Sequence, residues 1–94
     1  MMSQDLRQRI AALLSETEAA HGRYEERELN GVYDQNWADW YAAYLVQHGL
    51  AELLGSALTA GQVSQLLKQH DADYKRDQPG EGWSAYVAQQ LVAQ

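Results

Sequence analysis

NWADWYAAYLVQHG, residues 36–49, is the stretch of the sequence that most clearly predicts a helix. Asn36 suits the N-cap, and Asp39 follows three residues later in the position of a capping box. Gly49 accommodates the left-handed conformation that ends many helices. Between these signals, one set of residues recurs at steps of three and four, as expected of a helix with one buried face. This stripe consists of Trp37, Trp40, Tyr41, Tyr44, Leu45 and His48.

The same spacing recurs on both sides of this stretch and predicts three further principal helices. Asn30 and Gly31 form a strong turn signal because both tolerate positive φ. Thr59 and Gln62 form a second capping-box pair, and Pro79 favours a helix end just before it. The principal helices are expected over about residues 3–27, 36–48, 59–77 and 81–92, with one more helical turn at residues 50–54.

The predicted fold is an all-α single domain, residues 1–94, with four principal helices packed as two helical hairpins. No segment alternates with period two over the length of a strand, and short connections favour antiparallel neighbours. Residues 37–46 also align with residues 83–92, and each segment follows a helix that carries a His and then a Tyr. This internal similarity has two interpretations, an ancient duplication with a pseudo-twofold axis and the limited alphabet of helix cores.

Composition narrows the classes of function. The chain carries 13 Asp and Glu against 7 Lys and Arg, a net charge of −6, and no cysteine. The basic residues form no cluster, so binding to nucleic acid or to an anionic membrane is not expected. Without cysteine there is no disulfide, thiolate metal site or cysteine nucleophile. No apolar run reaches the ~18 residues of a membrane span and no signal-peptide core is present, so a cytoplasmic protein is expected.

Two segments also carry a resemblance to a family. They are Trp37-x-x-Trp40-Tyr41-Ala42-x-Tyr44-Leu45 and Pro79-Gly80-x-x-Trp83-x-x-Tyr86. Together they resemble a group of small uncharacterised bacterial proteins of similar length. The resemblance covers most of the chain and implies an all-helical fold, but it brings no activity, cofactor or catalytic residue.

The three histidines all fall on predicted apolar stripes. A buried imidazole needs a partner for its N–H and another for its lone pair. The simplest interpretation makes His21, His48 and His70 helix-interface residues that bond to tyrosine or to the backbone. For His48, in the last turn of its helix, the helix dipole is a further reason.

The alternative is a metal ion or planar ligand bound between the two hairpins. Glu18 and His21 have the spacing used by carboxylate-bridged di-iron bundles, and His70 with Asp73 provides a second pair. Such bundles also need inward carboxylates on the other two helices, where Asp39 and Glu81 alone are offered. A metal ion is therefore the weaker expectation, and no other cofactor is indicated. The candidate ligand residues are His21, His70, Glu18, Asp73, Tyr24 and Tyr74.

Every aromatic ring in the chain belongs to Tyr or Trp, six and three of them, because Phe is absent. Such rings are favoured where one end is dry and the other wet. Four of them lie within two helical turns, which is more ring surface than a buried stripe uses. Three uses fit: core with a dimer contact, a surface for a protein partner, or a pocket for a planar small molecule. The four rings are Trp37, Trp40, Tyr41 and Tyr44.

The leading hypothesis is a non-enzymatic interaction module that self-associates or binds another protein through these four rings. Enzymatic function is not indicated, because the serines lack a nucleophile-elbow context and no glycine pattern would cradle a phosphate.

Overall fold

Five α-helices account for most of residues 2–93, the part of the chain that the computed structural model describes, with side chains from residue 5 onward. This part of the chain contains no strand, so the all-α prediction is confirmed. None of its helices combines the length and the hydropathy needed to cross a membrane. The helices are α1 (Met2–Glu28), α2 (Trp37–Gln47), α3 (Leu50–Leu54), α4 (Ala60–Asp77) and α5 (Trp83–Val92).

The four long helices form a ring in the order α1, α2, α4, α5. The helices of each predicted hairpin do pack together, α1 with α2 and α4 with α5. The most extensive packing, however, joins the two hairpins, α1 with α5 and α2 with α4. Tyr24 of α1 packs on Trp40, whereas Glu16 bonds to Tyr44 further along α2, so these two helices are antiparallel.

The predicted capping box forms at the start of α4 but not at the start of α2. Thr59 and Gln62 form the predicted capping box at the start of α4. Asn36 does occupy the N-cap of α2, but its side chain makes no capping hydrogen bond. The capping box predicted there was wrong, because the Asp39 carboxylate faces α4 instead and accepts a hydrogen bond from the Ser64 hydroxyl at 2.6 Å.

The turn signals are confirmed. Asn30 and Gly31 have φ of 54° and 78°, and Gly49 between α2 and α3 has φ of 99°. Gln78, immediately before Pro79, also adopts the left-handed conformation and ends α4. Each of these short connections returns the chain to the bundle within a few residues.

The buried face of α2 differs from the predicted stripe. It consists of Ala38, Ala42 and Leu45, each at most 1 % exposed, so Leu45 is the one member of the predicted stripe that it contains. The large rings lie beside this face, with Trp40 against α1 and Trp37 against α5. Small alanines let the α2 backbone approach the core closely, and bulky rings fit only beside that contact. His48 was also wrongly placed on a buried stripe. It is the exposed C-cap residue of α2, and its Nδ1 lies 2.8 Å from the Tyr44 carbonyl oxygen.

One apolar cluster includes residues from all five helices. Its fully buried members are mostly aliphatic, and half-buried rings surround them. The buried residues are Ile10, Leu14, Ala38, Ala42, Leu45, Leu50, Val63, Leu67, Tyr86, Val87, Ala88 and Leu91.

Candidate binding cleft

An open cleft of about 320 Å³ lies at the end of the bundle where α2 and α5 begin and α4 ends. Four of its lining residues are aromatic and five are charged or titratable. The lining residues are Glu18, His21, Glu25, Tyr33, Trp37, Tyr41, Asp71, Lys75 and Trp83.

Three half-buried rings form one wall, which we call the ring corner: Trp37, Tyr41 and Trp83. Tyr41 is nearly perpendicular to Trp37, at 5.2 Å and 83°, and to Trp83, at 5.8 Å and 88°. Trp37 and Trp83 are 6.2 Å apart at 74°. Edge-to-face contacts of this kind are the preferred geometry of aromatic pairs, so the rings hold one another in place. The electron-rich ring faces attract cations.

Three carboxylates surround the ring corner. Burial, followed by the charges of Glu18, Glu25 and Asp71, raises the pKa of the Tyr41 phenol well above its usual range. Desolvation also raises the pKa of the Glu18 carboxyl. The two shifts share one cause, desolvation, which disfavours the charged form of each group.

Asp71 is fixed by two donors. Its Oδ1 accepts a hydrogen bond from the Trp83 indole Nε1 at 3.0 Å, and its Oδ2 lies 3.1 Å from the Lys75 ammonium. The first contact joins α4 to α5 and orients the Trp83 ring. The second places the only lysine of the lining at the edge of the cleft, with 70 % of its side chain exposed.

His21 anchors the loop at residues 29–36 to α1, together with Glu25 and Asp34; we call these three residues the latch. The His21 Nε2 donates to the Asp34 Oδ2 at 2.9 Å, since a carboxylate can only accept. The backbone N–H of Asp34 donates to the Glu25 Oε2 at 3.1 Å, and the Glu25 Oε1 lies 3.9 Å from the His21 Nδ1. The hydrogen bond from His21 is the main cause that lowers the pKa of Asp34. The latch thereby holds Tyr33, the neighbour of Asp34, at the cleft.

The first predicted His–carboxylate pair therefore belongs to the cleft, with a different pairing. Glu18 and His21 both line it, but the imidazole bonds to Asp34 and approaches Glu25. Tyr24 packs behind them, 5.9 Å from the His21 ring.

The second predicted pair lies outside the cleft lining. His70 is buried, with its Nδ1 4.0 Å from the Asp73 Oδ2, and burial lowers the pKa of the imidazole against the opposing charge of Asp73. Tyr74 donates to the Glu81 carbonyl oxygen at 3.0 Å and packs on Tyr86. Within residues 5–93, no group of three or more His, Asp or Glu side chains is arranged to hold a metal ion.

The four rings predicted to bind a partner are divided between two places. Trp37 and Tyr41 line the cleft. Trp40 and Tyr44 stack in a row with His48 beside α1, at centroid distances of 5.5 Å and 3.9 Å. The Tyr44 hydroxyl donates to Glu16 of α1 at 2.7 Å. All four rings are half-buried, and their predicted role in binding a partner stays a prediction.

Several cleft residues were missed by the sequence prediction. Tyr33 lines the cleft and is 66 % exposed. Its neighbour Val32 lies outside the lining and is 63 % exposed, and within residues 5–93 these two are the exposed large apolar side chains. Asp71 and Lys75 could have been identified as an i, i+4 acid–base pair on α4. Trp83 stood in the resemblance motif, but nothing in its spacing showed which helix it would face.

The two halves of the chain each carry a ring pair at this end of the bundle. Tyr24 with Trp40 and Tyr74 with Tyr86 have the same centroid distance of 5.4 Å, but the rings are inclined by 32° in the first pair and by 55° in the second. Trp40 corresponds to Tyr86 in the sequence alignment. The duplication stays a prediction.

Compared with models of known families, with curated proteins and with solved structures, the chain matches none. The resemblance to small helical bacterial proteins stays a prediction, and a functional proposal depends on the chemistry of the cleft.

Proposed function

We propose that this protein is a non-enzymatic interaction module that binds a basic segment of a protein partner in the cleft. The observation that carries this proposal is the ring corner with three carboxylates around it. The lining contains three carboxylates, Glu18, Glu25 and Asp71, and one ammonium, that of Lys75. The molecule as a whole is also negative, with a net charge of −6. Charge of one sign in a concave surface steers and selects partners of opposite charge.

The lining also has the composition of a binding surface. Tyr and Trp dominate the free energy of protein interfaces because they offer a large contact area with a polar tip. Val32, the exposed neighbour of the cleft residue Tyr33, adds apolar surface outside the lining, on a loop that the latch holds in place. A partner would therefore meet a preformed surface, which reduces the entropy lost on binding.

The lining does not offer the aliphatic hydroxyl or thiol nucleophile that acyl-transfer enzymes use. Its residues include no serine, threonine or cysteine. The imidazole of His21 is engaged by Asp34, and that hydrogen bond serves to anchor the loop. A ligand site formed jointly by His21 and His70 is not favoured, because His70 is not part of the cleft lining.

Self-association is a second candidate, favoured by the exposure of Val32 and Tyr33. Two copies would bring equal net charges of −6 together, so we expect any dimer to be weak and to be strengthened by salt. Sedimentation equilibrium at low and high ionic strength measures this directly. A dimer that dissociates as salt is added would contradict that expectation.

Binding of matched synthetic peptides tests the principal proposal. Three peptides of equal length and hydropathy, one basic, one neutral and one acidic, are titrated into the protein by calorimetry. We expect only the basic peptide to bind, and its affinity to fall with salt as screening increases. Equal affinity for all three, or binding that is insensitive to salt, would contradict the proposal.

A matched pair of variants locates the binding to the cleft. Glu18→Gln removes one cleft carboxylate and is expected to lower the affinity for the basic peptide by ~3- to 10-fold, as for a partly desolvated charge pair. Glu28→Gln makes the same change at an exposed position outside the lining and should leave the affinity within ~2-fold of the wild type. Equal loss in both variants would show that only the net charge of the molecule matters.

A further inference from the structure

We infer that the cleft takes one arginine side chain of the partner and that Lys75 holds this cation position until the arginine displaces it. This inference rests on the proposed function and names the chemistry of its ligand.

The chain's own ammonium shows where a cation can lie. The Lys75 Nζ is 3.1 Å from the Asp71 Oδ2, at the edge of the cleft. The Trp83 indole N–H holds the other oxygen of Asp71, so a cation at Oδ2 lies close to the Trp83 side chain. The Lys75 side chain is 70 % exposed, and ion pairs so exposed are weak. An incoming cation can therefore replace Lys75 at little cost.

The ring corner favours a guanidinium over an ammonium. A guanidinium is flat, weakly hydrated and able to stack on an aromatic face while its edge donates to a carboxylate. The three rings line the cleft and are half-buried, so a flat cation in the cleft can stack on an exposed ring face. An ammonium is compact and strongly hydrated, and it gains less from such walls.

A second carboxylate is available on the α1 side of the cleft. Glu18 lines it and forms no side-chain hydrogen bond or ion pair within residues 5–93. Asp71 on α4 and Glu18 on α1 thus offer acceptors from two helices, which suits the several donors of a guanidinium. The volume of about 320 Å³ lies at the lower end of ligand sites, so it suits one side chain of a partner.

Three peptides that differ at one residue test the inference. A basic peptide carries arginine, lysine or citrulline at its central position, citrulline being the neutral isostere of arginine. Calorimetry of the wild-type protein is expected to rank them arginine, lysine, citrulline, with citrulline weaker than arginine by ~10-fold or more and lysine by ~3-fold or more.

Lys75→Gln is the decisive variant, with Lys68→Gln as its control. Both remove one exposed lysine from α4 and change the net charge equally, but Lys68 does not line the cleft. Loss of the competing ammonium should raise the affinity of Lys75→Gln for the arginine peptide by ~2- to 5-fold above that of Lys68→Gln. The affinity for the citrulline peptide should be equal in the two variants.

The outcomes separate this inference from the proposed function. If lysine and arginine peptides bind equally while neutral and acidic peptides do not bind, the arginine inference is overturned and the interaction module stands. Equal affinities of Lys75→Gln and Lys68→Gln for the arginine peptide would overturn the inference that arginine displaces Lys75. If none of the basic peptides binds, the proposed function itself fails.

Discussion

The two ends of this bundle share the helices α1, α4 and α5 but are built from different kinds of side chain. The cleft end combines four rings with charged and titratable groups, whereas the opposite end encloses a cavity of about 150 Å³ with six aliphatic residues and one serine in its lining. Aliphatic burial stabilises a fold without demanding hydrogen bonds, while charged groups near apolar surface cost desolvation. The contrast leads us to expect the larger contribution to stability from the aliphatic end, and it agrees with the binding role proposed for the cleft end. The aliphatic end is lined by Leu6, Leu54, Ser56, Leu58, Leu66, Leu91 and Val92.

The largest effect on stability is expected at the aliphatic end. Leu91 is 1 % exposed, so Leu91→Ala should lower the free energy of unfolding by ~2–5 kcal/mol through lost burial and a new cavity. Gln89→Ala, at an exposed position of the same helix, should change it by less than ~0.5 kcal/mol. Urea unfolding followed by circular dichroism measures both. A small loss for Leu91→Ala would mean that the two ends share the stability equally.

A smaller loss is expected at the latch. His21→Ala removes one of the two donors of the largely buried Asp34 carboxylate and leaves only the backbone N–H of Asn36, so it should cost ~1–3 kcal/mol of unfolding free energy. His48→Ala removes an exposed imidazole and should cost less than ~0.5 kcal/mol. The same urea experiment compares them. Equal losses would contradict a distinct anchoring role for His21.

The next effect depends on pH and concerns His70. Burial lowers the pKa of this imidazole below 6.5, so the unfolded chain binds the proton more readily than the folded one. Stability should therefore fall as the pH drops below about 6.5, by at most ~1.4 kcal/mol per pH unit for one proton. His70→Gln should flatten this slope between pH 7 and 5, whereas His48→Ala should keep it. The lowered pKa of Asp34 acts separately, because its contribution is lost only as the pH falls below about 3.8.

The smallest effect on stability is expected on the loop of the cleft end. Tyr33 is 66 % exposed, so Tyr33→Ser should change the unfolding free energy by less than ~0.5 kcal/mol. The same variant should weaken binding of the basic peptide by ~3-fold or more, since an aromatic wall of the cleft is lost. Val32→Ser, at a similarly exposed position outside the lining, is the control, and its affinity for the basic peptide should fall by less than that of Tyr33→Ser. Calorimetric titration distinguishes the two.

Local signals predicted the helices well. Thr59 with Gln62, the left-handed Gly49 and the residues around Pro79 mark boundaries because their effects depend on neighbours a few residues away. The buried face of α2 was less predictable. Alanine and a ring at adjacent positions can each face the core, and the choice depends on how closely the neighbouring helices approach. Only the tertiary structure supplies that distance.

The cleft was predicted only in part. Glu18, His21, Trp37 and Tyr41 were recognised as candidates, but as members of two separate sites. Their convergence depends on the ring order of the helices and on the path of the loop. The hydrogen bond between His21 and Asp34 fixes that loop across 13 positions of sequence, a partner that no periodicity within one helix reveals.

The length of α1 limits the insertions and deletions that this fold can tolerate. Its 27 residues span about 40 Å, close to the 42 Å longest dimension of the molecule, and they serve both ends of the bundle. A single inserted residue between Leu14 and His21 would rotate everything beyond it by about 100° and carry the imidazole away from Asp34. Length variation in natural variants should therefore be confined to the connections between helices, and α1 should diverge by substitution alone.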